Sequence, residues 1–532
     1  MANAIDSVSN FLREELPRVM HESLPAVAPF FKDIVATSVG VRADESKIGR
    51  SWNVIHLYSA GIAGLIKYAN PSGPAMITVG NLGKQTHLID FVNASSPFPT
   101  ALESPHAGSL KRTLTLHMTT GNFSIPVTWM QSDALSAAQI KQVARDIKAV
   151  GDLRAMVEAS GFHSYQATSA SGYGVKVLGM VNSVAEITTT NTIKVTLLEK
   201  YGTIHNFRVG QVVEFWASAG TEASALQDGT ATDATDCRNY TPATAYYVHA
   251  IIQDVDYINR TFTMVGVNDN TGAIVAWADA TGWQGTNGIA KYDYIVLKDC
   301  ASYAGTGTRP MPTWGLEDWI KSSGQIMGGA ASAEALDLDT YSQFKSNVTA
   351  INGPLTEDVL NQHVGNYLDA YPGLSLDTII TTNGVTQKYL QQFGLYNNKF
   401  FYDRAGKSLN VQGGWAEVGY EFNGRILKWI VDPMCLKNRL YALKLQGGNI
   451  KRYVPPVISG GDERLGGASA GMDGEVQFLA PIGGHTGVFM VARTSAGAAL
   501  DILEAPFFQY CLIAPIDPRG IKLTDLTEVA SS

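Results

Sequence analysis

Behind Ser132, a residue type that caps helix N-termini, the apolar residues Ile140, Val143, Ile147, Val150 and Val157 recur at steps of three, four, three and seven. The spacing predicts one amphipathic helix ending near Ser160-Gly161, roughly 30 residues and about 40 Å long at 1.5 Å per residue. Gly151 inside it costs about 1 kcal/mol against alanine, so this helix needs tertiary support. A second stripe, Val359, Leu360, Val364, Tyr367 and Leu368 behind Thr356, predicts a second helix. A strand over Thr378–Thr382 follows, with Asn383-Gly384 turning it into a short helix over Thr386–Phe393. Gly-punctuated strands then run to about Leu445, with further strands at Val488–Ala492 and Phe507–Ile513.

Period-two alternation dominates elsewhere. Trp52–Leu57 and Leu114–Thr119 favour extended structure, with Leu114, Leu116 and Met118 alternating against Thr115, His117 and Thr119. About 55 residues rich in Gly and Pro lie between those strands, and a connection that long is normally functional or disordered. Residues 1 to 50 read as short helical pieces broken by Pro17, Pro25 and Pro29, an arm unable to bury a face alone. Between 172 and 300 come six short strands: Val175–Val184, Ile193–Leu198, Val212–Trp216, Tyr246–Val255, Thr261–Val265 and Tyr294–Leu297. Gly210 and Asn259-Arg260 fall where turns belong, the pattern of a small barrel or sandwich. The fold class expected is α+β with an inserted all-β domain.

Composition narrows the function. The chain has 532 residues, 45% hydrophobic and 17% charged, enough for several packed units and unlike a disordered or fibrous protein. Its net charge of −8 is the wrong sign for a protein that grips a nucleic-acid backbone or an anionic membrane. Residues 172 to 300 hold 13 acidic and 8 basic side chains, so most of that excess sits in the β segment. Cys237, Cys300, Cys435 and Cys511 lie far apart without metal-ligand spacing, which points away from zinc and from a disulfide framework. No basic n-region opens the chain and no apolar run approaches the roughly 18 residues of a spanning helix, so neither a signal peptide nor a membrane contact is expected.

Few segments offer chemistry. Gly467-Ala468-Ser469-Ala470-Gly471 fits the G-x-S-x-G nucleophile pattern but lacks the strand before and the helix after that the elbow requires. Gly406-Lys407-Ser408 resembles the end of a phosphate-binding loop, but Phe401 stands where its first glycine belongs. Asp228, Asp233 and Asp236 crowd a loop without the rigid spacing of a calcium site, and read as a solvated acidic loop. Trp216, Trp277 and Trp283 suit a sugar-stacking platform or, more commonly at these spacings, a barrel core or rim. No catalytic residue, cofactor or metal site is expected.

From Asp377 onward the chain carries a recognisable pattern. Asp377-Thr378-Ile379-Ile380-Thr381-Thr382-Asn383-Gly384, Gly413-Gly414-Trp415, Gly419-Tyr420-Glu421-Phe422-Asn423-Gly424-Arg425, Val431-Asp432-Pro433-Met434-Cys435 and Asn438-Arg439-Leu440-Tyr441 resemble the axial domain of tailed-phage major capsid proteins. The order of elements resembles the Hong Kong 97 type of capsid fold. That resemblance implies an N-terminal arm (1–50), an E-loop hairpin and its base (51–119), a peripheral domain with a spine helix (120–171), an inserted β domain (172–300), a connecting segment (301–335), an axial domain (336–480) and a C-terminal return (481–532). It further implies a non-enzymatic subunit forming hexamers and pentamers around double-stranded DNA in the virion, after synthesis in the bacterial cytoplasm. Expected partners are further copies of itself, a portal, and scaffolding or decoration proteins; the short arm suggests a separate scaffold, or none. Lys84, Lys111 and Arg112 on the long excursion are candidate inter-subunit contacts. Alternatives are a nanocompartment shell of the same fold, or a β-rich carbohydrate-binding protein built on the tryptophans.

Overall fold

The computed structural model describes residues 137–168, 174–187, 191–218, 246–268, 288–297, 314–327, 335–371, 374–396, 425–445, 449–454 and 499–529, together with shorter, mostly strand segments between and before them. The chain is α+β. Helix α1 spans Ala137–His163, its 27 residues ending two beyond the expected stop; Ser132 lies outside the described residues. Val143 and Ile147 of the predicted stripe are buried, but the buried face then runs through Gly151, Ala155, Ala159 and Phe162, and Val150 and Val157 are only half-buried.

That face packs where two sheets and a short helix meet. A six-stranded sheet is organised on the 17-residue strand Ala499–Pro515, which pairs with His117–Pro126, Ile450–Val454, Val476–Phe478 and Met490–Arg493; Ala36–Ser38 adds in parallel to Ile450–Val454. The sequence pattern predicts only Phe507–Ile513 of that strand. Within the sheet Pro506 faces Asn122 and the strand runs through it. Likewise the alternation over Leu114–Thr119 belongs to two strands with different partners. Ser109–Thr115 pairs antiparallel with Ser51–Leu57, whereas His117–Pro126 joins the long strand. Farther along the excursion Ile66–Asn70 and Ile89–Asn93 pair in parallel, so the simple hairpin expected there holds only at its base.

A second six-stranded sheet runs in the order Asn347–Gly353, Ile521–Leu526, Leu440–Leu443, Thr378–Thr381, Arg425–Val431, Gly419–Phe422, with mixed directions. Helix α2, Leu316–Trp319, precedes it in the chain, and helices α3, Glu357–Ala370, and α4, Asn383–Tyr396, accompany it. Leu360, Val364 and Tyr367 of α3 share a core with Ile379, Trp429, Leu440 and Leu523. Thr356 caps α3 as expected, its Oγ1 accepting from the Val359 N–H at 3.2 Å. Thr356→Ala should cost about 1 kcal/mol in urea unfolding, and Thr356→Asp much less. Asn383-Gly384 is not a turn before a later helix but the first turn of α4. Thr382 provides the cap, its Oγ1 accepting from Val385 N–H at 3.3 Å and its carbonyl from Thr386 N–H at 3.1 Å.

The β segment closes on itself. Gly179–Ile187, Thr192–Leu197, Thr261–Asn268, Tyr246–Asp256, Val212–Trp216 and Tyr294–Leu297 pair in that order, all antiparallel, and the last returns to the first. This is a six-stranded barrel with two short strands, Tyr240–Thr241 and Ile274–Val275, on its rim. Val195, Phe207, Phe215, Ala250, Phe262, Met264 and Ile295 fill it. Gly210 at φ +83° and Arg260 at φ +57° occupy the expected turns.

Candidate functional site: a buried ionic junction

The barrel's chain leaves α1 and comes back at one place. Gly315, just before α2, lies so close to the end of α1 that a Cβ on it would stand 2.3 Å from the Phe162 carbonyl oxygen and 2.6 Å from that of Gly161. Around this crossing the fold buries charge. Lys176, on the strand leading into the barrel, donates to the Gly161 carbonyl at 2.5 Å and pairs with Asp318 of α2 at 2.6 Å, both side chains almost wholly out of water. Asp318 in turn accepts from the Gly315 N–H at 2.6 Å. One lysine therefore holds the end of α1, the start of α2 and the base of the barrel together.

Beside it, Glu317 accepts from Tyr441 Oη at 2.5 Å, from the Arg439 guanidinium, and from Lys522 Nζ at 3.3 Å. Burial opposes ionisation of Glu317, but the two cations outweigh it and hold the carboxyl far below the ordinary range. Burial likewise lowers the Lys176 and Lys321 ammonium pKa values, with Asp318 opposing in both. Two further buried pairs tie α1 to the sheets. Arg452 meets Glu158 through Nε at 2.6 Å and Nη2 at 3.0 Å, a bidentate fork, and His163 Nε2 lies 3.1 Å from Asp432 Oδ2. On the outer side Lys200 pairs with Asp525 at 2.9 Å and Arg260 with Glu199 at 3.0 Å.

These contacts have a pH signature. Glu317 ionises more readily folded than unfolded, so its contribution is complete above the unfolded carboxyl value near pH 4.3 and is lost as pH falls below it. Urea midpoints measured from pH 3 to 7 should fall on the acid side of about 4.5. At the other extreme, burial pushes the Tyr420 phenol up to about 12 and raises the Tyr441 phenol well above its ordinary value. Stability carried by those neutral phenols is present up to about pH 10 and lost as pH rises further.

The arrangement fastens elements together. Its carboxylates face cations, and among the described residues no cluster of His, Cys, Asp and Glu has the geometry to hold a metal ion. No helix among the described residues is long and apolar enough to cross a membrane. Lys84 lies outside the described residues; Lys111 and Arg112 stand on the excursion's base strand opposite Ile55 and Val54. Trp216 is fully buried with its Nε1 donating to Glu214 at 3.1 Å, but it packs outside the barrel interior with Val177, Met180, Tyr201 and Tyr294 and offers no face to a sugar; Trp277 and Trp283 lie outside the described residues, as do the Asp228 loop, Gly467–Gly471 and Gly406–Ser408. Of the junction, sequence reasoning touched only Arg439 and Tyr441, as parts of the recognised pattern. The available signal for the rest was Glu317-Asp318 standing inside the otherwise apolar Trp314-to-Ile320 run, a charge pair that buried surroundings must satisfy. That run fell in the segment expected to be a mere connection, yet Trp314, Leu316, Trp319 and Ile320 are core.

No protein-family model and no curated protein matches the chain. Among solved structures, the capsid asymmetric unit of cyanophage A-1(L) aligns over 94% of this chain and 93% of its own at 10% identity, with a TM-score of 0.36. The procapsid of satellite phage P4 with its size determination protein aligns over 98% and 92% at 10% identity and a TM-score of 0.29. The holo-SrpI encapsulin complex from Synechococcus elongatus PCC 7942 aligns over 34% and 53% at 12% identity and a TM-score of 0.20. Phage capsid proteins are thus among the solved structures to which this chain is similar.

Proposed function

We propose that this chain is a major capsid protein of the Hong Kong 97 type, a non-enzymatic subunit that assembles into hexamers and pentamers to form the shell around the double-stranded DNA of a tailed phage. The observation that carries the reading is that the described parts of the recognised segments fold together, Gly413-Gly414-Trp415 lying outside the described residues. Asp377–Thr381, Gly419–Phe422, Arg425, Val431–Cys435 and Asn438–Tyr441 form adjoining strands and turns of the mixed sheet. In this reading α1 is the spine helix, residues 51–119 the E-loop, Ala36–Ser38 part of the arm, and 172–300 an outward-facing insertion.

Physical chemistry supports it. Among the described residues the ribbons Ser51–Leu57 with Ser109–Thr115, and Ile66–Asn70 with Ile89–Asn93, pair with nothing beyond each other. An isolated two-stranded ribbon is marginal in water, and a neighbouring subunit supplies the missing surface. Lys84, Lys111 and Arg112 belong to that contact. The sugar-binding alternative loses Trp216, which is fully buried beside Tyr201 and Tyr294, whereas a nanocompartment shell differs from a capsid in its contents.

The test is negative-stain microscopy with light scattering on the protein expressed alone in bacteria. Closed shells or rings of five or six subunits are the expected result, and nuclease-protected DNA in particles from infected cells separates a capsid from a protein-filled compartment. A monodisperse species at 57.2 kDa overturns self-sufficient assembly.

A further inference from the structure

Arg154 of α1 differs from the buried cations of the junction. Its guanidinium lies 5.3 Å from the centroid of the Phe507 ring, on the long sheet strand, and its side chain is half-buried. Among the described residues none of its five N–H donors meets a carboxylate or any other acceptor. The natural helical partner four residues on is Glu158, but both Glu158 oxygens are taken by Arg452. Burial draws the Arg154 pKa down to about 10, only partly opposed by Cys511, as expected of a cation removed from water without an anion. Lys176, Arg439 and Arg452, each buried, all have carboxylates.

The surroundings say what kind of anion fits. Arg154 is flanked on α1 by exposed Leu153, 45% open to solvent, and by half-buried Val150 and Val157. An arginine in an apolar frame, stacked on an aromatic ring, is the composition of a protein interface anchor. A phosphate-backbone contact instead gathers several cations, and this chain has a net charge of −8. Acidic side chains outnumber basic ones, 48 to 40, so copies of the chain offer many carboxylates.

We propose that Arg154 is an inter-subunit anchor, receiving an Asp or Glu carboxylate from a second copy of this chain while Leu153 is covered by the same neighbour. The proposal rests on the shell reading above. It assigns a contact to the helix itself, distinct from those of the excursion residues Lys84, Lys111 and Arg112.

Arg154→Met keeps the stem packed on Phe507 and removes the charge. Wild type and variant are compared for the protein concentration at which particles form and, after dissociation, for the unfolding midpoint of the subunits. The expected result is an unfolding midpoint unchanged or raised, with the assembly threshold raised about tenfold, equivalent to about 1.4 kcal/mol per contact. Added salt should raise the wild-type threshold more than the variant's. Arg154→Gln, tested in parallel, gives the same pattern if Arg154→Met fails to fold. An unchanged threshold, or a subunit midpoint that falls in step with it, overturns the anchor while leaving the shell reading intact. A change confined to DNA content, with empty particles unaffected, also overturns it in favour of a nucleic-acid contact. Wild-type protein that never assembles overturns self-sufficient assembly and the anchor with it.

Discussion

Glu317→Gln is expected to lower the unfolding free energy by about 3–5 kcal/mol. Among the described residues this carboxylate is the only anion paired with both Arg439 and Lys522, and it also accepts from the Tyr441 hydroxyl. An amide of the same size has one acceptor oxygen, no charge, and an NH₂ group that must face donors. Two cations would remain in the core without their counter-ion, and it is this remainder, more than the lost attraction, that makes single removal so costly. The contrast comes from removing a cation as well. In a double-mutant cycle, Glu317→Gln with Lys522→Met should lose less than the sum of the single losses, with a coupling of about 1–3 kcal/mol. Urea denaturation of the dissociated subunit reads both quantities. A single-variant loss below about 1 kcal/mol would mean that water reaches the junction and screens it.

The second large effect is expected from adding one methyl group. Gly315 has a φ of −111°, open to any residue, so its backbone torsion demands nothing of the side chain. Space does: a Cβ there meets two carbonyl oxygens of α1 at 2.3 and 2.6 Å. Those oxygens are backbone, and Gly161 O is also the acceptor of Lys176 Nζ. Relief requires α2 to back away from α1, opening the edge contact of Phe162 with Trp319, whose centroids are 5.6 Å apart, and lengthening the Lys176–Asp318 pair. Gly315→Ala should therefore cost about 3 kcal/mol or more, the upper end of overpacking effects, and show as a lower melting temperature and a reduced soluble yield. A wild-type melting temperature would show that the crossing is slack.

Much of this fold was legible because local pattern and final burial agree. The extent of α1 and its first buried positions Val143 and Ile147, the Thr356 cap of α3 and the boundaries Val212–Trp216 and Tyr294–Leu297 were readable from spacing and propensity; the later buried positions of α1, Gly151, Ala155 and Ala159, were not, because small residues carry no hydrophobic signal. Failures occurred where tertiary pairing overrides a local signal. The strand expected over Phe507–Ile513 extends through Pro506 to Ala499 because it pairs with His117–Pro126, and Asn383-Gly384 reads as a turn but is helical because Thr382 caps it and Glu528 packs against Gly384. The junction was hidden for a different reason. Its members, at 176, 317, 318, 439 and 522, are dispersed along the sequence, and no spacing rule joins a lysine before a barrel to an aspartate after it. Only the oddity of acidic residues among tryptophans pointed there.

The closed barrel has a kinetic meaning. Its first strand, Gly179–Ile187, and its last, Tyr294–Leu297, are hydrogen-bonded neighbours, so the chain's way in and way out stand about 4.8 Å apart, one strand spacing. For the rest of the chain, joining α1 to α2 across more than a hundred intervening residues would otherwise carry the entropy of closing a very long loop. Once the barrel has formed, that loop shrinks to a short bridge whose ends are already side by side. The barrel can thus fold early as a unit, and contacts distant in sequence become local ones for the remaining fold.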